Sequence, residues 1–217
     1  MEVIPSINCE DIACIAKKIA VVKKLGALWV HLDVGDGVFS SIKLWDKKED
    51  IIKLKDEALA KMAPIVFEVH LMVKDPEQWI EVWLKAGAKR VIVHCEVIHD
   101  LEFLKKKCEE YGAELGLSIE FSTNIEKLTP FLTEGIEFAH VLSVPPGLQG
   151  QKFHEGALKR IELLHKRYPS ILIEVDGGID DETGKLAKNA GADIFVSATY
   201  IFKAEEPDVA YQTLRKI

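Results

Sequence analysis

Short apolar runs alternate with amphipathic stretches along the whole chain. In residues 12–24, Ile12, Ile15 and Ile19 fall on one face of a helix, and Asp11 is placed to cap it. Residues 171–176 instead form a short, mostly apolar run followed by two glycines, which is typical of a buried strand. This pattern predicts eight strands and eight helices in alternation. The predicted strands are 3–7, 28–33, 64–72, 90–94, 114–119, 138–144, 171–176 and 194–197, and the predicted helices are 12–24, 48–61, 76–86, 101–111, 125–132, 158–167, 182–190 and 207–216.

The alternation of strands and helices predicts a fold of the α/β class, with a parallel sheet covered by helices. Eight units of roughly 27 residues fit a (β/α)8 TIM barrel, and an open doubly wound sheet is the alternative. Polar residues at strand ends favour the barrel, because a barrel gathers those ends around one mouth. These residues are Asp33, His70, His94, Glu120 and Asp176. We therefore expect one barrel domain spanning residues 1–217.

Charge and composition argue against some classes of function. The formal net charge of −7 argues against a general binder of nucleic acid or of anionic membranes. No apolar run is long enough to span a bilayer, and none reads as a signal sequence. The cysteines, Cys9, Cys14, Cys95 and Cys108, contain no Cys-x-x-Cys pair. We therefore expect four reduced thiols in a cytoplasmic protein.

The candidate chemistry lies at three strand ends. His31 and Asp33 are two residues apart, so in a strand both side chains point to the same face. His70 lies in a second apolar run, and Asp176 ends a third one before two glycines. If the fold brings them together, these two histidines and two aspartates form a metal site. Taken singly, a strand histidine is more often a core residue, and an aspartate before glycines is often a turn residue.

Other polar residues have weaker patterns. His94 and Glu96 lie at the end of the fourth predicted strand, where they either play a structural role that orders the mouth or contact the ligand. Asp36, between two glycines, is interpreted as a turn residue. Nothing in the sequence marks the remaining histidines as functional, and these are His99, His140, His154 and His165.

Six segments together carry a family resemblance. They are Pro5-Ser6-Ile7; His31-x-Asp33-Val34-x-Asp36-Gly37-x-Phe39; Glu68-Val69-His70-Leu71-Met72-Val73; Val93-His94-x-Glu96; Ser143-Val144-x-Pro146-Gly147-x-x-Gly150-Gln151-Lys152-Phe153; and Glu174-Val175-Asp176-Gly177-Gly178-Ile179. Because these six segments occur together in this order and at this spacing, the chain resembles the ribulose-phosphate 3-epimerase family over nearly its whole length. The resemblance implies a (β/α)8 barrel, an isomerase of the pentose phosphate pathway that interconverts ribulose 5-phosphate and xylulose 5-phosphate, and a homo-oligomer.

The resemblance also implies a metal-dependent reaction. It assigns one divalent cation to His31, Asp33, His70 and Asp176, and zinc, iron and manganese suit these ligands about equally. Epimerisation beside a ketone removes the C3 proton and returns one to the opposite face, so each face needs an acid/base group. Asp33 and Asp176 fit these two catalytic roles, which the family also gives them. A Lewis-acid cation stabilises the enediolate that forms between the two proton transfers.

The predicted substrate contacts surround the same mouth. Barrels commonly bind phosphate through backbone N–H groups that follow the last two strands. The predicted contacts are Ser6, His70 and Met72 in the pocket, Gly147 and Gly150 in a loop that resembles the family's lid, and Gly177, Gly178, Ala198 and Thr199 at the phosphate.

Departures from the family pattern cluster at this mouth, and they leave the substrate open. They are Gly35, Glu120, Leu142, Pro145, Gln149 and Ala198. An epimerase for a related hexulose phosphate is one alternative. A phosphosugar lyase or decarboxylase is another, although Asp33-Val34-Gly35-Asp36 lacks the lysine that some of those enzymes carry there. A binding protein without turnover is the non-enzymatic alternative.

Overall fold

Parallel pairing joins the predicted apolar runs into one curved sheet. The structure is a computed structural model, and it describes residues 1–61, 63–147 and 150–217. The strands are β1 (Glu2–Pro5), β2 (Trp29–Asp36), β3 (Lys43–Leu44), β4 (Val66–Met72), β5 (Arg90–His94), β6 (Glu114–Ile119), β7 (Phe138–Leu142), β8 (Leu172–Asp176) and β9 (Ile194–Ser197). The helices are α1 (Ile12–Leu25), α2 (Lys48–Glu57), α3 (Pro76–Ala86), α4 (Leu101–Glu110), α5 (Thr129–Thr133), α6 (Gly156–Arg167), α7 (Asp181–Ala190), α8 (Thr199–Phe202) and α9 (Pro207–Arg215).

The sheet closes on itself, which confirms the barrel against the open sheet. Its order is β1-β9-β8-β7-β6-β5-β4-β2-β3, and every pair is parallel except β2 with β3. A parallel bridge between Ser6 and His31 joins the β1 end of the sheet to β2. There the Ile7 N–H donates to the His31 carbonyl over 2.9 Å, while the Ser6 N–H donates to the Ser197 carbonyl over 3.0 Å.

Helices α1, α4 and α7 begin after aspartates whose side chains cap them. Asp11 caps α1 by accepting the Cys14 N–H over 2.7 Å, and Gly26 ends the helix in the left-handed conformation. The buried stripe of α1, Ile15, Ile19 and Val22, belongs to the hydrophobic core outside the barrel. In the described ranges, none of the helices combines the length and the apolar character needed to cross a membrane.

The barrel interior contains both apolar and buried polar side chains. Alternate residues of each strand face inward, so β2 presents His31 and Asp33 while Val30 and Leu32 join the core beneath the helices. A small apolar cluster lies in the interior, and its members are Ile4, Ile92, Phe138, Ile194 and Val196. Buried polar residues lie level with this cluster along the strands, and they include His31, Glu68, His70, Arg90, His140 and Glu174.

Several boundaries differ from the sequence prediction. The predicted loop 38–45 contains β3, which pairs with the end of β2. A Cβ atom on Gly35 would lie 2.6 Å from the Ile42 carbonyl oxygen, so a glycine at that position lets residues 38–44 fold back. The predicted helix 48–61 ends earlier, at Glu57, and a 3-10 turn follows at Leu59–Lys61. The sequence pattern did not predict the four-residue helix α8, which directly follows β9.

The prediction of four reduced thiols is wrong for two of them. Cys9 and Cys14 form a disulfide with 5.8 Å between their Cα atoms. The turn into α1 reverses the chain between these residues and brings them within bonding range, although their spacing is not a Cys-x-x-Cys pair. Cys95 and Cys108 are buried free thiols in the described part of the chain, as expected.

Candidate active site

A cavity of about 520 Å³ opens at the carboxyl ends of the strands. Every residue predicted to contact substrate lines it, and these are Ser6, His70, Met72, Gly147, Gly150, Gly177, Gly178, Ala198 and Thr199. Both predicted catalytic carboxylates, Asp33 and Asp176, line it too. Asn8 lines the cavity as well, and Lys152 and Tyr200 are lining residues that were not among the predicted contacts.

One carboxylate oxygen of Asp33 lies between two imidazoles. Oδ1 is 3.2 Å from His31 Nε2 and 3.1 Å from His70 Nδ1. All three residues are buried, and strand alternation explains the arrangement. His31 and Asp33 share one face of β2, and the register places Asp33 beside His70 on β4. The structure thus brings together three of the four predicted metal ligands.

Buried charges beneath His31 fix the orientation of its ring. His31 Nδ1 lies 2.7 Å from Glu68 Oε1, and the other oxygen of Glu68 accepts from Arg90 Nη1 over 2.5 Å. Arg90 also donates to Glu114 over 2.7 Å. Because Glu68 accepts at Nδ1, His31 presents Nε2 to the site, and a carboxylate behind a histidine ligand is a usual support for metal binding. The sequence prediction overlooked this supporting chain.

His94 supports His70 from behind. The two Nε2 atoms are 2.8 Å apart, which leaves His70 Nδ1 facing Asp33. His94 Nδ1 lies 3.5 Å from Glu96 Oε2, and Glu96 Oε1 accepts the Glu120 N–H over 2.8 Å. The described lining of the cavity does not include His94 or Glu96. Of the two roles considered for this pair, the structure favours the supporting one.

The fourth predicted ligand, Asp176, lies in a group that contains an unexpected histidine. The group is His31, His70, His140 and Asp176, and the ligand atoms offered by its members all lie within 4.8 Å of one another. Asp33 contacts two of these residues without belonging to the group. No sequence pattern had marked His140 as functional. Strand alternation was the available indication, because His140 lies two residues before the inward-facing Leu142 on β7.

The two catalytic candidates differ in their electrostatics. Burial opposes ionisation of Asp33, but hydrogen bonds and charge from His31 and His70 outweigh it and lower the pKa of Asp33. Burial raises the pKa of Asp176 to about 6, and the nearby Asp33 charge adds to that rise. One cavity thus holds a carboxylate that stays ionised and a carboxyl that retains its proton more readily, which is typical of acid/base pairs.

Asn8 is a further contact of Asp33 that the sequence prediction overlooked. Its side-chain amide donates to Asp33 Oδ2, and its Oδ1 accepts from the Asp33 N–H over 3.3 Å. Ser6 Oγ also donates to Asn8 Oδ1 over 3.0 Å. The Asn8 amide thus holds Oδ2 of Asp33, while the two imidazoles contact Oδ1.

The loop after β8 forms the other end of the cavity and depends on two glycines. Gly177 has φ +109°, and a Cβ there would lie 2.7 Å from Ser143 Oγ. Gly178 has φ +60°, and a Cβ there would overlap the backbone nitrogen of Phe153. Thr183 Oγ1 donates to the Gly178 carbonyl over 2.9 Å and so ties this loop to the start of α7. Gly177 therefore leaves room for the Ser143 side chain, and Gly178 lets the backbone at Phe153 approach closely.

Comparison with known proteins identifies the family. The model of the ribulose-phosphate 3 epimerase family matches residues 2–202. The chain belongs to the ribulose-phosphate 3-epimerase family. It is 33% identical to ribulose-phosphate 3-epimerase of Chlamydia trachomatis, with 98% of this chain and 91% of the relative covered. It is also 33% identical to the cytoplasmic isoform of Oryza sativa subsp. japonica, with 99% and 93% covered.

Membership of the ribulose-phosphate 3-epimerase family confirms the prediction of an isomerase of the epimerase class. Solved structures support the barrel. The 3-hexulose-6-phosphate synthase of Salmonella typhimurium matches with a TM-score of 0.75 at 15% identity, with 100% of this chain and 97% of that chain covered. Orotidine 5'-phosphate decarboxylase of Pyrococcus horikoshii gives 0.65 at 16%, with 99% and 100% covered. At such identities these matches show the fold alone. The homo-oligomer and the cytoplasmic location stay predictions.

Residues that depart from the family pattern occupy different places. Leu142, Pro145 and Ala198 line the cavity, so they can contact a bound molecule. The described lining does not include Gly35 or Glu120. The Glu120 carbonyl accepts from Arg160 Nη2 over 3.0 Å, which gives Glu120 a structural contact. Gln149 lies outside the described residues.

Proposed function

We propose that this chain interconverts D-ribulose 5-phosphate and D-xylulose 5-phosphate by inverting the configuration at C3. One observation carries the proposal: Asp33 and Asp176 line the same cavity from strands that are three positions apart around the closed sheet. Carboxylates that enter a cavity from separate strands can address opposite faces of a flat intermediate, and inversion requires this arrangement. The names of the relatives agree with the proposed reaction.

In the proposed reaction the two aspartates exchange roles with direction. Asp33, with its lowered pKa, takes the C3 proton on one face, while Asp176 supplies a proton to the other face. In the reverse direction Asp176 is the base and Asp33 the acid. Asn8 and the two imidazoles orient the Asp33 carboxylate for this transfer, because they contact both of its oxygens.

The residues present fit the divalent cation that the family resemblance implies. His31, His70 and Asp176 are proposed to hold it, with Asp33 beside them, since three of these side chains offer ligand atoms within 4.8 Å of one another. Glu68 and His94 orient the two imidazoles from behind. When bound, such a cation supplies a Lewis acid for negative charge on the sugar oxygens. Imidazole and carboxylate ligands suit zinc, iron and manganese.

The phosphate of the substrate is proposed to lie at the opposite end of the cavity. Gly177, Gly178, Ala198 and Thr199 line that end and offer backbone N–H groups and one hydroxyl. Lys152 is the one lysine or arginine among the lining residues that the structure describes, and its charge complements a phosphate dianion.

The test is proton exchange at C3 in D₂O, measured by NMR on metal-loaded protein with the bound metal quantified. The substrate panel contains ribulose 5-phosphate, xylulose 5-phosphate and a hexulose 6-phosphate. We expect deuterium at C3 of both pentulose phosphates, together with their interconversion. Greater kcat/KM on the hexulose phosphate would reassign the substrate. Release of CO₂, or binding without exchange, would overturn the epimerase proposal.

A further inference from the structure

His140 lies in the barrel interior, and it hydrogen-bonds with the described residues through only one of its two ring nitrogens. It is on β7, it is fully buried, and the register places it beside Glu174 on β8. Its Nε2 is 3.7 Å from Asp176 Oδ2 and 3.7 Å from Glu174 Oε1, beyond normal hydrogen-bond length. Among the described residues, this nitrogen has no hydrogen-bond partner. A buried polar atom without a partner destabilises a fold unless something else binds it.

The opposite nitrogen of His140 is already engaged. Nδ1 lies 2.9 Å from Ser118 Oγ on β6, where the hydroxyl can accept the ring N–H. In that tautomer the Nε2 lone pair points away from Ser118, toward Asp176. An outer hydrogen bond that fixes the tautomer of a histidine is usual at metal centres.

The ring of His140 faces the two histidines that the family resemblance assigns to the metal. Its centroid is 4.5 Å from that of His70, and it stacks 5.8 Å from that of His31 with 12° between the planes. The ligand atoms of these three histidines and of Asp176 all lie within 4.8 Å of one another. One cation can therefore reach all four side chains without a change of fold.

We propose that His140 is a further ligand of the divalent cation, so that this enzyme binds its metal through three imidazoles together with carboxylate. The inference rests on the proposed function, in which a cation lies at His31, His70 and Asp176. A third neutral imidazole in place of a carboxylate leaves more positive charge on the site. It also favours metals that prefer nitrogen ligands, such as zinc, over manganese.

The first test counts imidazoles in the unmodified protein. The full chain is loaded with Co²⁺, and hyperfine-shifted ¹H resonances that disappear in D₂O are recorded, since each coordinated imidazole with an N–H contributes one. We expect three such signals. Two signals, from His31 and His70, would overturn the inference. Measuring C3 exchange on the same preparation separates the two hypotheses. Exchange together with only two shifted signals would keep the proposed function and reject His140 as a ligand. Three shifted signals without exchange would keep His140 as a ligand and reject the proposed function.

The second test measures Zn²⁺ affinity by competition with a chromophoric chelator. We expect His140→Leu to weaken binding by at least about 10-fold to 100-fold and to remove one shifted signal. Ser118→Ala should weaken binding by about 10-fold while keeping all three signals, because it releases only the outer hydrogen bond. His99→Leu is the matched control, because His99 is exposed and lies outside the site. An unchanged Zn²⁺ affinity in His140→Leu would refute the inference. If that variant does not fold, the Zn²⁺ affinity of Ser118→Ala and the number of shifted signals in the wild-type protein decide whether His140 is a ligand.

Discussion

The two ends of the cavity are built on different principles. At the end proposed to bind the metal, side chains from strand ends converge, and both imidazoles are held by a second buried side chain, as Glu68 holds His31 and His94 holds His70. At the end proposed to bind phosphate, the chain offers mostly backbone, from the loop at Gly177 and Gly178 and from the short helix α8. Functions performed by side chains therefore depend on which residue types are present, whereas ligand binding by the backbone depends on the shape of the loop.

This difference predicts where substitutions act. A change at the metal end removes a functional group and should lower kcat. A change at the phosphate end alters how closely the backbone approaches the ligand and should raise KM. The following predictions test that division, beginning with the largest effect.

Asp176→Asn should lower kcat on ribulose 5-phosphate by about 10³-fold or more, because it removes one proton carrier and weakens a metal ligand. Asp180→Asn is the matched control, since Asp180 also lines the cavity and asparagine caps a helix equally well. Steady-state kinetics and circular dichroism measure the outcome. A folded Asp176→Asn enzyme with near-normal kcat would remove Asp176 from the mechanism.

The raised pKa of Asp176 predicts a pH dependence of stability in the chelator-treated protein. The folded state holds this proton up to about pH 6, whereas an unfolded aspartate loses it near 3.8. Stability should therefore fall as the pH rises between these values, by no more than about 3 kcal/mol, and then stay level. Urea unfolding of wild type and Asp176→Asn at several pH values isolates the effect. A pH-independent difference between the two proteins would contradict it.

Gly178→Ala should raise KM for ribulose 5-phosphate by roughly 10-fold, because the added Cβ would push the loop away from the Phe153 backbone. Gly112→Ala is a close control, because Gly112 has the same φ of +60° with nothing within 4 Å of its added Cβ. Both variants should lose about 1 kcal/mol of stability from backbone strain. Equal KM values in the two variants would exclude a phosphate role for this loop.

Ala198→Gly should have the smallest effect. The methyl group of Ala198 lines the phosphate end, where closer backbone approach favours binding. We expect KM to fall by about 2-fold to 3-fold with kcat unchanged, measured by steady-state kinetics on ribulose 5-phosphate. An increase in KM would mean that the methyl group itself contacts the substrate.

The regular elements were largely predictable from sequence. Helix Pro76–Ala86 and strand Arg90–His94 have the predicted bounds, because proline and glycine mark the limits of the helix and the apolar run defines the strand. The short elements β3 and α8 were not predictable, since neither is long enough to show a hydrophobic period. The Cys9–Cys14 disulfide was also unforeseen, because it depends on the turn that Asp11 caps.

The sequence alone was enough to show which residues share a face of a strand. Alternation along β2 and the motifs around His70 and Asp176 were sufficient to select Asp33, His70 and Asp176, which line one cavity. Which strands lie near each other across the barrel depends on the packed fold. Closure of the sheet at Ser6 and His31 brings the interior of β7 close to β2, so His140 lies beside His31 and His70. No local sequence pattern predicts that these residues lie close together, because residues 31 and 140 are brought into proximity only by tertiary packing.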